Sequence, residues 1–261
     1  LINDYESFKK EVYNLTKIDL NAYKEKQMKR RIDTLILRHH LTGYDSFVNS
    51  LRTDKDVLED FVNYLTINVS EFYRNPDQWE ILERDVIPLL KKRFNSDIKV
   101  WSAACSTGDE PYSLAMTFNK QMKPTDYSIY ATDIDKQVLD QAKNGVYSKK
   151  SIALLPKEYA VKYLKPTTEQ TFQIDPSLKK SINFERHNLL LDPFPKNVSL
   201  IVCRNVLIYF TEEVKEVIFE KFYESLAPGG ILFLGATEQM INYKQIGYER
   251  LASFFFEKPF K

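Results

Sequence analysis

Apolar residues recur three and four apart through the first 75 positions: Tyr5, Phe8, Val12 and Leu15, then Met28, Ile32, Leu35 and Ile36, then Val57, Phe61, Tyr64 and Leu65. That spacing draws one apolar stripe down each of several helices. Turn signals at Thr42-Gly43-Tyr44-Asp45 and Arg52-Thr53-Asp54 separate the runs. No period-two alternation competes, so residues 1–75 read as a small helical domain with a basic helix over 22–40. Another helix is expected from Asp77 to about Arg93, interrupted at Pro88, which offers no N–H to the helix ladder.

From Asp97 the pattern changes. Ile98 to Ala104, Tyr127 to Ala131, Val198 to Cys203 and Gly230 to Gly235 are short apolar runs of the kind that form buried strands. Helical stretches lie between them, from Glu110, from Lys136 to Asn144 and from Thr211 to Leu226. Strands alternating with helices imply right-handed crossovers and a mostly parallel sheet covered on both faces, an α/β Rossmann-like domain over 76–261. The tail from Tyr248 to Phe256 suits final antiparallel strands. Residues 146–180 break the alternation, with a helix-like Lys157–Tyr163 and a hairpin arm at Thr171–Pro176, and read as an inserted β-subdomain.

Composition narrows the chemistry. With 37 Lys and Arg against 36 Asp and Glu, no global field favours nucleic acid, so any basic binding surface is local. The two cysteines, Cys105 and Cys203, sit at strand ends outside any metal-binding spacing; buried thiols and no metal site are expected. No apolar run reaches bilayer length, and the first residues lack the basic-then-apolar layout of a secretory signal, so a cytoplasmic protein without membrane insertion is expected.

Ligands of open α/β sheets sit beyond the carboxyl ends of the strands. The first strand runs into Ala104-Cys105-Ser106-Thr107-Gly108, where Rossmann-like methyltransferases carry Gly-x-Gly-x-Gly. Ala104, Ser106 and Gly108 fall on the glycine positions, small enough for a ligand to approach the backbone. A small-residue turn that only packs helix on strand would look the same. Glu110 opens the next helix and could grip a cationic amino group. The second strand ends at Asp133, where an acid accepts hydrogen bonds from ribose hydroxyls, while Asp135 suits the helix cap.

Several segments together resemble the CheR family of chemotaxis receptor methyltransferases: Leu65 to Arg74, Trp101 to Ser113, Ala131 to Asp135, His187 to Leu190, and Cys203 to Phe210. They stand in the family's order and cover essentially the whole chain. The resemblance implies a helical N-terminal domain, a Rossmann-like catalytic domain and an inserted β-subdomain. It also implies S-adenosylmethionine as methyl donor, S-adenosylhomocysteine as product and receptor glutamates as acceptors. Carried over by position, Asn68, Ser70 and Arg74 would contact the cofactor, Glu110 its amino end and Asp133 its ribose. Asn188 and Leu189 would border the adenine, with Asn205 and Val206 on the floor of the site and Ala104 in the glycine-like loop. Ser70 stands where many members have Thr, which keeps the hydroxyl.

A glutamate acceptor, with an ordinary pKa of about 4.3, is already anionic at neutral pH, so methyl transfer needs placement rather than a base. The histidines, His39, His40 and His187, form no recognisable nucleophile–base set. Arg74 can orient a carboxylate by a bidentate pair, and Tyr209 could donate a hydrogen bond near the methyl group or be a core aromatic. Basic residues concentrate over 24–40, and Arg30, Arg31 and Arg38 fall opposite the apolar stripe, so this helix is expected to dock the acidic helical region of a receptor. A monomer is expected. Two rivals are an amino-group methyltransferase on the same fold, against which Arg204-Asn205-Val206-Leu207 lacks the Asn/Asp-Pro-Pro-aromatic loop, and a non-catalytic S-adenosylmethionine-binding receptor adaptor.

Overall fold

A computed structural model describes residue 2, residues 4–66 and residues 69–260. The chain divides into two compact units, residues 1–68 with 209–215, and residues 69–208 with 216–261.

Among the described residues, the first unit is built from the α-helices α1 (Tyr5–Thr16), α2 (Glu25–Arg38), α3 (Tyr44–Thr53) and α4 (Lys55–Thr66). Asp4 caps α1 by accepting from the Ser7 N–H at 2.7 Å, and Asp54 does the same for Asp56 at 2.9 Å at the start of α4. The apolar stripes meet at Phe8, Ile32, Leu35, Phe47, Val48 and Phe61, all buried. Residues 209–215 join this unit by backbone bonds: Lys24 N–H donates to the Tyr209 carbonyl at 2.9 Å and Thr211 N–H to the Ala22 carbonyl at 3.0 Å. Tyr23 and Phe210 pair across the same bridge, ring centroids 4.9 Å apart. Nothing local in the sequence assigns that segment to the N-terminal helices.

In the second unit, α5 (Pro76–Ile81) runs on through a π-helical turn at Leu82–Val86 into α6 (Ile87–Phe94). The expected interruption at Pro88 is therefore absent. The widened turn immediately before it absorbs the proline, which then sits in the first turn of α6, where its missing N–H matters least. There follow β1 (Ile98–Ala103), α7 (Asp109–Phe118), β2 (Tyr127–Asp133), α8 (Lys136–Asn144), β3 (Val146–Ser148), α9 (Lys157–Tyr163), β4 (Leu164–Pro166), β5 (Thr171–Ile174), α10 (Pro176–Lys179), β6 (Ile182–Arg186), β7 (Val198–Cys203), α11 (Glu212–Ser225), β8 (Leu226–Leu234), α12 (Tyr243–Ile246), β9 (Glu249–Ala252) and β10 (Phe255–Glu257).

Seven strands form one sheet in the order β6-β2-β1-β7-β8-β10-β9, parallel from β6 to β8 and antiparallel at β10 and β9. Every residue of β7 is buried, as are all of β1 except Lys99, which is how strands covered on both faces read. The strand order reverses between β1 and β7, so the crevice at their carboxyl ends is the switch point where this architecture places ligands. A separate three-stranded antiparallel sheet, β3-β5-β4, occupies the inserted stretch.

Candidate functional site

At the carboxyl end of β1 the backbone turns left-handed at alternate residues, with φ of 67° at Ala104, 49° at Ser106 and 90° at Gly108. These are the three glycine-like positions of the motif. Only Gly108 is free of the steric penalty, and it has no choice, because a Cβ there would lie 2.8 Å from the Ala142 Cβ and 2.9 Å from the Tyr147 hydroxyl. The loop is held from β2: Cys105 N–H donates to the Thr132 carbonyl at 2.8 Å, and Ser106 N–H to the Asp133 carboxylate at 2.8 Å. Asp133 also accepts from the Asp135 N–H at 3.0 Å, and Asp135 caps α8 through the Gln137 N–H at 2.8 Å. Burial, only partly offset by these amide donors, lifts the Asp133 carboxyl to about 6.

Glu110, in the first turn of α7, accepts from the Ser102 hydroxyl at 2.8 Å and faces the Arg204 guanidinium at 3.6 Å. Its side chain is 13% exposed, that of Arg204 3%. Desolvation pushes the Glu110 carboxyl up and the Arg204 guanidinium down, each opposed by the other's charge. Arg204 in turn donates to the Arg74 carbonyl at 2.5 Å and to the Gln78 side chain at 2.8 Å. Trp79 donates to the same Arg74 carbonyl at 3.1 Å. Arg74 is thereby fixed at its backbone, between Tyr73 and Asn75 that both have positive φ, while its guanidinium donates to the Val69 carbonyl at 3.2 Å.

Two further acids complete the picture. Glu238, buried after β8, accepts from the Val206 N–H at 2.9 Å and so holds the loop in which Asn205 is left-handed at φ 61°. Burial lifts its carboxyl to about 6. Asp109, fully buried, accepts from the hydroxyls of Thr107 at 2.5 Å and of Ser151. Arg204, Glu238 and Asp109 were not singled out from sequence as site residues. Arg204 lay inside the quoted Cys203–Phe210 segment, but its role shows only in contacts to residues far away along the chain. Asn188 is buried, its side chain accepting from the Leu190 N–H at 2.9 Å, and Leu189 is buried beside it.

The second unit thus gathers Ser70, Arg74, Ala104, Glu110, Asp133, Asn188, Leu189, Asn205 and Val206 onto the carboxyl ends of its parallel strands and the segments joined to them. Asn68 lies outside the described residues. Tyr209 belongs to the first unit, within electrostatic range of Arg31. The basic stripe is only partly open. Arg31 is half-buried, donates to the Tyr64 carbonyl and stacks over the Tyr64 ring at 4.2 Å; Arg38 lies over that ring at 4.6 Å and pairs with Asp60 at 3.4 Å. Arg30 remains exposed.

These residues fit an adenosyl ligand bearing a cationic amino group. Two carboxylates, Asp133 and Glu110, stand at the ends of adjacent segments, and the loop between them carries no bulky side chain. Buried polar atoms there, the Ser106 Oγ, the Gln78 Nε2 and the Arg204 Nε, also have no hydrogen-bond partner among the described residues. Among the described residues no group of His, Cys, Asp and Glu is arranged to hold a metal ion, and no helix is long and apolar enough to cross a membrane.

A parallel sheet whose strand order reverses beside this small-residue loop, with acids following β1 and ending β2, is the architecture of Rossmann-like S-adenosylmethionine-dependent methyltransferases. The chain belongs to the CheR methyltransferase family: the family's SAM binding domain matches residues 68–252 and its all-alpha domain residues 3–66. It is similar to the chemotaxis protein methyltransferase of Listeria monocytogenes, 42% identical over 99% of this chain and 98% of that one. The chemotaxis protein methyltransferase of Borreliella burgdorferi is 32% identical over 93% and 90% of the two chains. Chemotaxis protein methyltransferase 2 of Vibrio cholerae is 31% identical over 89% and 81%. The chain is therefore an S-adenosylmethionine-dependent methyltransferase of chemotaxis, with S-adenosylhomocysteine as its product.

Proposed function

We propose that the chain esterifies glutamate side chains in the cytoplasmic helical region of chemotaxis receptors, acting in the cytoplasm as a monomer. The observation that carries this reading is the meeting of Glu110, Arg204 and the Arg74 backbone beside the Asp133 loop, in a chain that matches its family from end to end. When bound, S-adenosylmethionine supplies a methyl group on a cationic sulfur, open to in-line displacement.

The chain's own residues then have positional tasks. Glu110 binds the amino end, and Asp133 accepts from the ribose hydroxyls, with Ala104 leaving space between them. Asn188 and Leu189 flank the adenine, and Asn205 and Val206 form the floor, their backbone set by Glu238. Asn68 and Ser70 contact the cofactor from the linking segment. The Arg74 guanidinium orients a carboxylate, of cofactor or acceptor. Tyr209 donates a hydrogen bond near the reacting centre. The acceptor carboxylate is ionised at neutral pH, so no residue has to remove a proton. Arg30 and its neighbours on α2 attract the acidic receptor helix.

Incubating the protein with receptor cytoplasmic fragments and methyl-labelled S-adenosylmethionine, followed by mild alkali, tests the reading. Base-labile label on glutamates supports it. Alkali-stable label points to amino-group methylation, and no label to an adaptor; either outcome overturns it.

A further inference from the structure

The three-stranded insertion is joined to the cofactor segment through one aspartate. Asp109 follows the left-handed loop directly, and no part of its side chain reaches solvent. Its oxygens take hydroxyls from Thr107 in the loop and Ser151 just beyond β3, and its carbonyl takes the Ser113 hydroxyl at 2.7 Å, which in turn accepts from the Tyr73 N–H at 3.3 Å in the segment leading to Arg74. The backbone repeats the link, since Phe72 N–H donates to the Ser151 carbonyl at 3.0 Å. Tyr147, within β3, donates to the Thr107 carbonyl at 2.6 Å and meets the Phe72 ring edge-on with centroids 4.7 Å apart. A buried carboxylate with two hydroxyl donors has little freedom to let one go, because each lost bond leaves charge in an apolar surrounding.

We propose that the insertion is a working part of the cofactor site, and that Ser151, acting through Asp109, is a positioning residue that sets the Ser70–Arg74 segment for cofactor binding. Residue 151 need touch neither donor nor acceptor for this. The inference rests on the reading of Ser70 and Arg74 as cofactor contacts and adds a determinant some eighty residues away along the chain, roughly the separation of Ser70 and Ser151.

The test is calorimetric titration of S-adenosylhomocysteine into the full chain and into Ser151→Ala, Ser151→Thr and Asp109→Asn, with thermal melting of each ligand-free protein. Ser151→Ala is expected to weaken binding roughly fivefold to tenfold, less than the loss of a direct hydrogen bond to a charged group, because residue 151 acts on the ligand only through the segment it positions. Ser151→Thr, which restores the hydroxyl, should return to within about twofold of the natural chain. Asp109→Asn should weaken binding at least as far as Ser151→Ala. In Ser151→Ala the KM for receptor at saturating cofactor should stay put, which separates positioning of the cofactor from general loosening. Equal affinities for Ser151→Ala and the natural chain overturn the inference, whereas a natural chain that gives no heat at all overturns the functional reading beneath it.

Discussion

Replacing Glu110 by Gln separates what this carboxylate does for the ligand from what it does for the fold. The amide keeps the shape and can still accept from the Ser102 hydroxyl, now at 2.8 Å, but it has no charge to offer a cationic amino group. A hydrogen bond to a charged group contributes about 1.5–3 kcal/mol, so affinity should fall roughly 10- to 150-fold. Stability responds differently. Desolvation raises the Glu110 carboxyl above its ordinary value, so its ionised form works against the fold at neutral pH, a penalty absent at pH values below the unfolded-state pKa. Gln removes that penalty and also removes the counter-charge 3.6 Å from Arg204, which keeps its bonds to the Arg74 carbonyl and Gln78. These opposing effects should leave stability within about 1 kcal/mol, or roughly 2–4 °C in Tm. Arg204→Ala is the contrast, stranding Glu110 and Glu238 without their cation, at about 3–5 kcal/mol. Titration of S-adenosylhomocysteine with parallel thermal melts reads both quantities. A Glu110→Gln protein that binds within threefold of the natural chain, or that melts more than ten degrees lower, would refute the reasoning.

Asp133, lifted to about 6, should bind ribose hydroxyls at full strength above that pH and lose affinity as pH falls through it. Because Glu238 also titrates near 6, assignment comes from Asp133→Asn, whose weaker binding should vary less with pH; an unchanged profile would acquit Asp133. On α2, Arg30→Glu should raise the KM for receptor severalfold without altering Tm, whereas Arg31→Glu should lower Tm, because Arg31 is stacked and bonded to Tyr64. Identical melting of the two variants would contradict the packing described for Arg31. Tyr209→Phe should lower turnover with little loss of cofactor binding, and unchanged turnover removes Tyr209 from the mechanism.

The parallel core was legible because β7 is buried along its whole length and β1 and β2 along most of theirs, so that each spells a largely apolar run. The edge strand β6 was not. Ile182-Asn183-Phe184-Glu185-Arg186 is mostly solvent-facing and carries the polar residues of an edge. Strand β8 starts at Leu226 rather than Gly230: Val198 pairs with Leu226 and Leu200 with Ile231, and Pro228-Gly229, which looks like a turn, lies in the irregularity between those two pairs. In the site, Glu110 and Asp133 could be placed from their offsets after strands. Asp109, Arg204 and Glu238 could not, since each acts on backbone or hydroxyl groups brought close only by folding. Likewise, opposition to an apolar stripe marked Arg31 as a surface residue, but the stripe is blind to Tyr64 on the facing helix.

The shape of the β1 loop depends on glycine at only one, Gly108, of the three positions by which such loops are usually recognised. Ala104 and Ser106 hold left-handed conformations that cost an L-residue about 1–2 kcal/mol each. Glycine at either place would shed that cost while gaining about 0.5–1 kcal/mol of unfolded-chain entropy to lose. A search for this site in distant sequences therefore does better to look for small residues at every second position between a buried strand and an acidic helix start than for a string of glycines. An engineer seeking a sturdier enzyme has two positions where the backbone would relax without being redrawn.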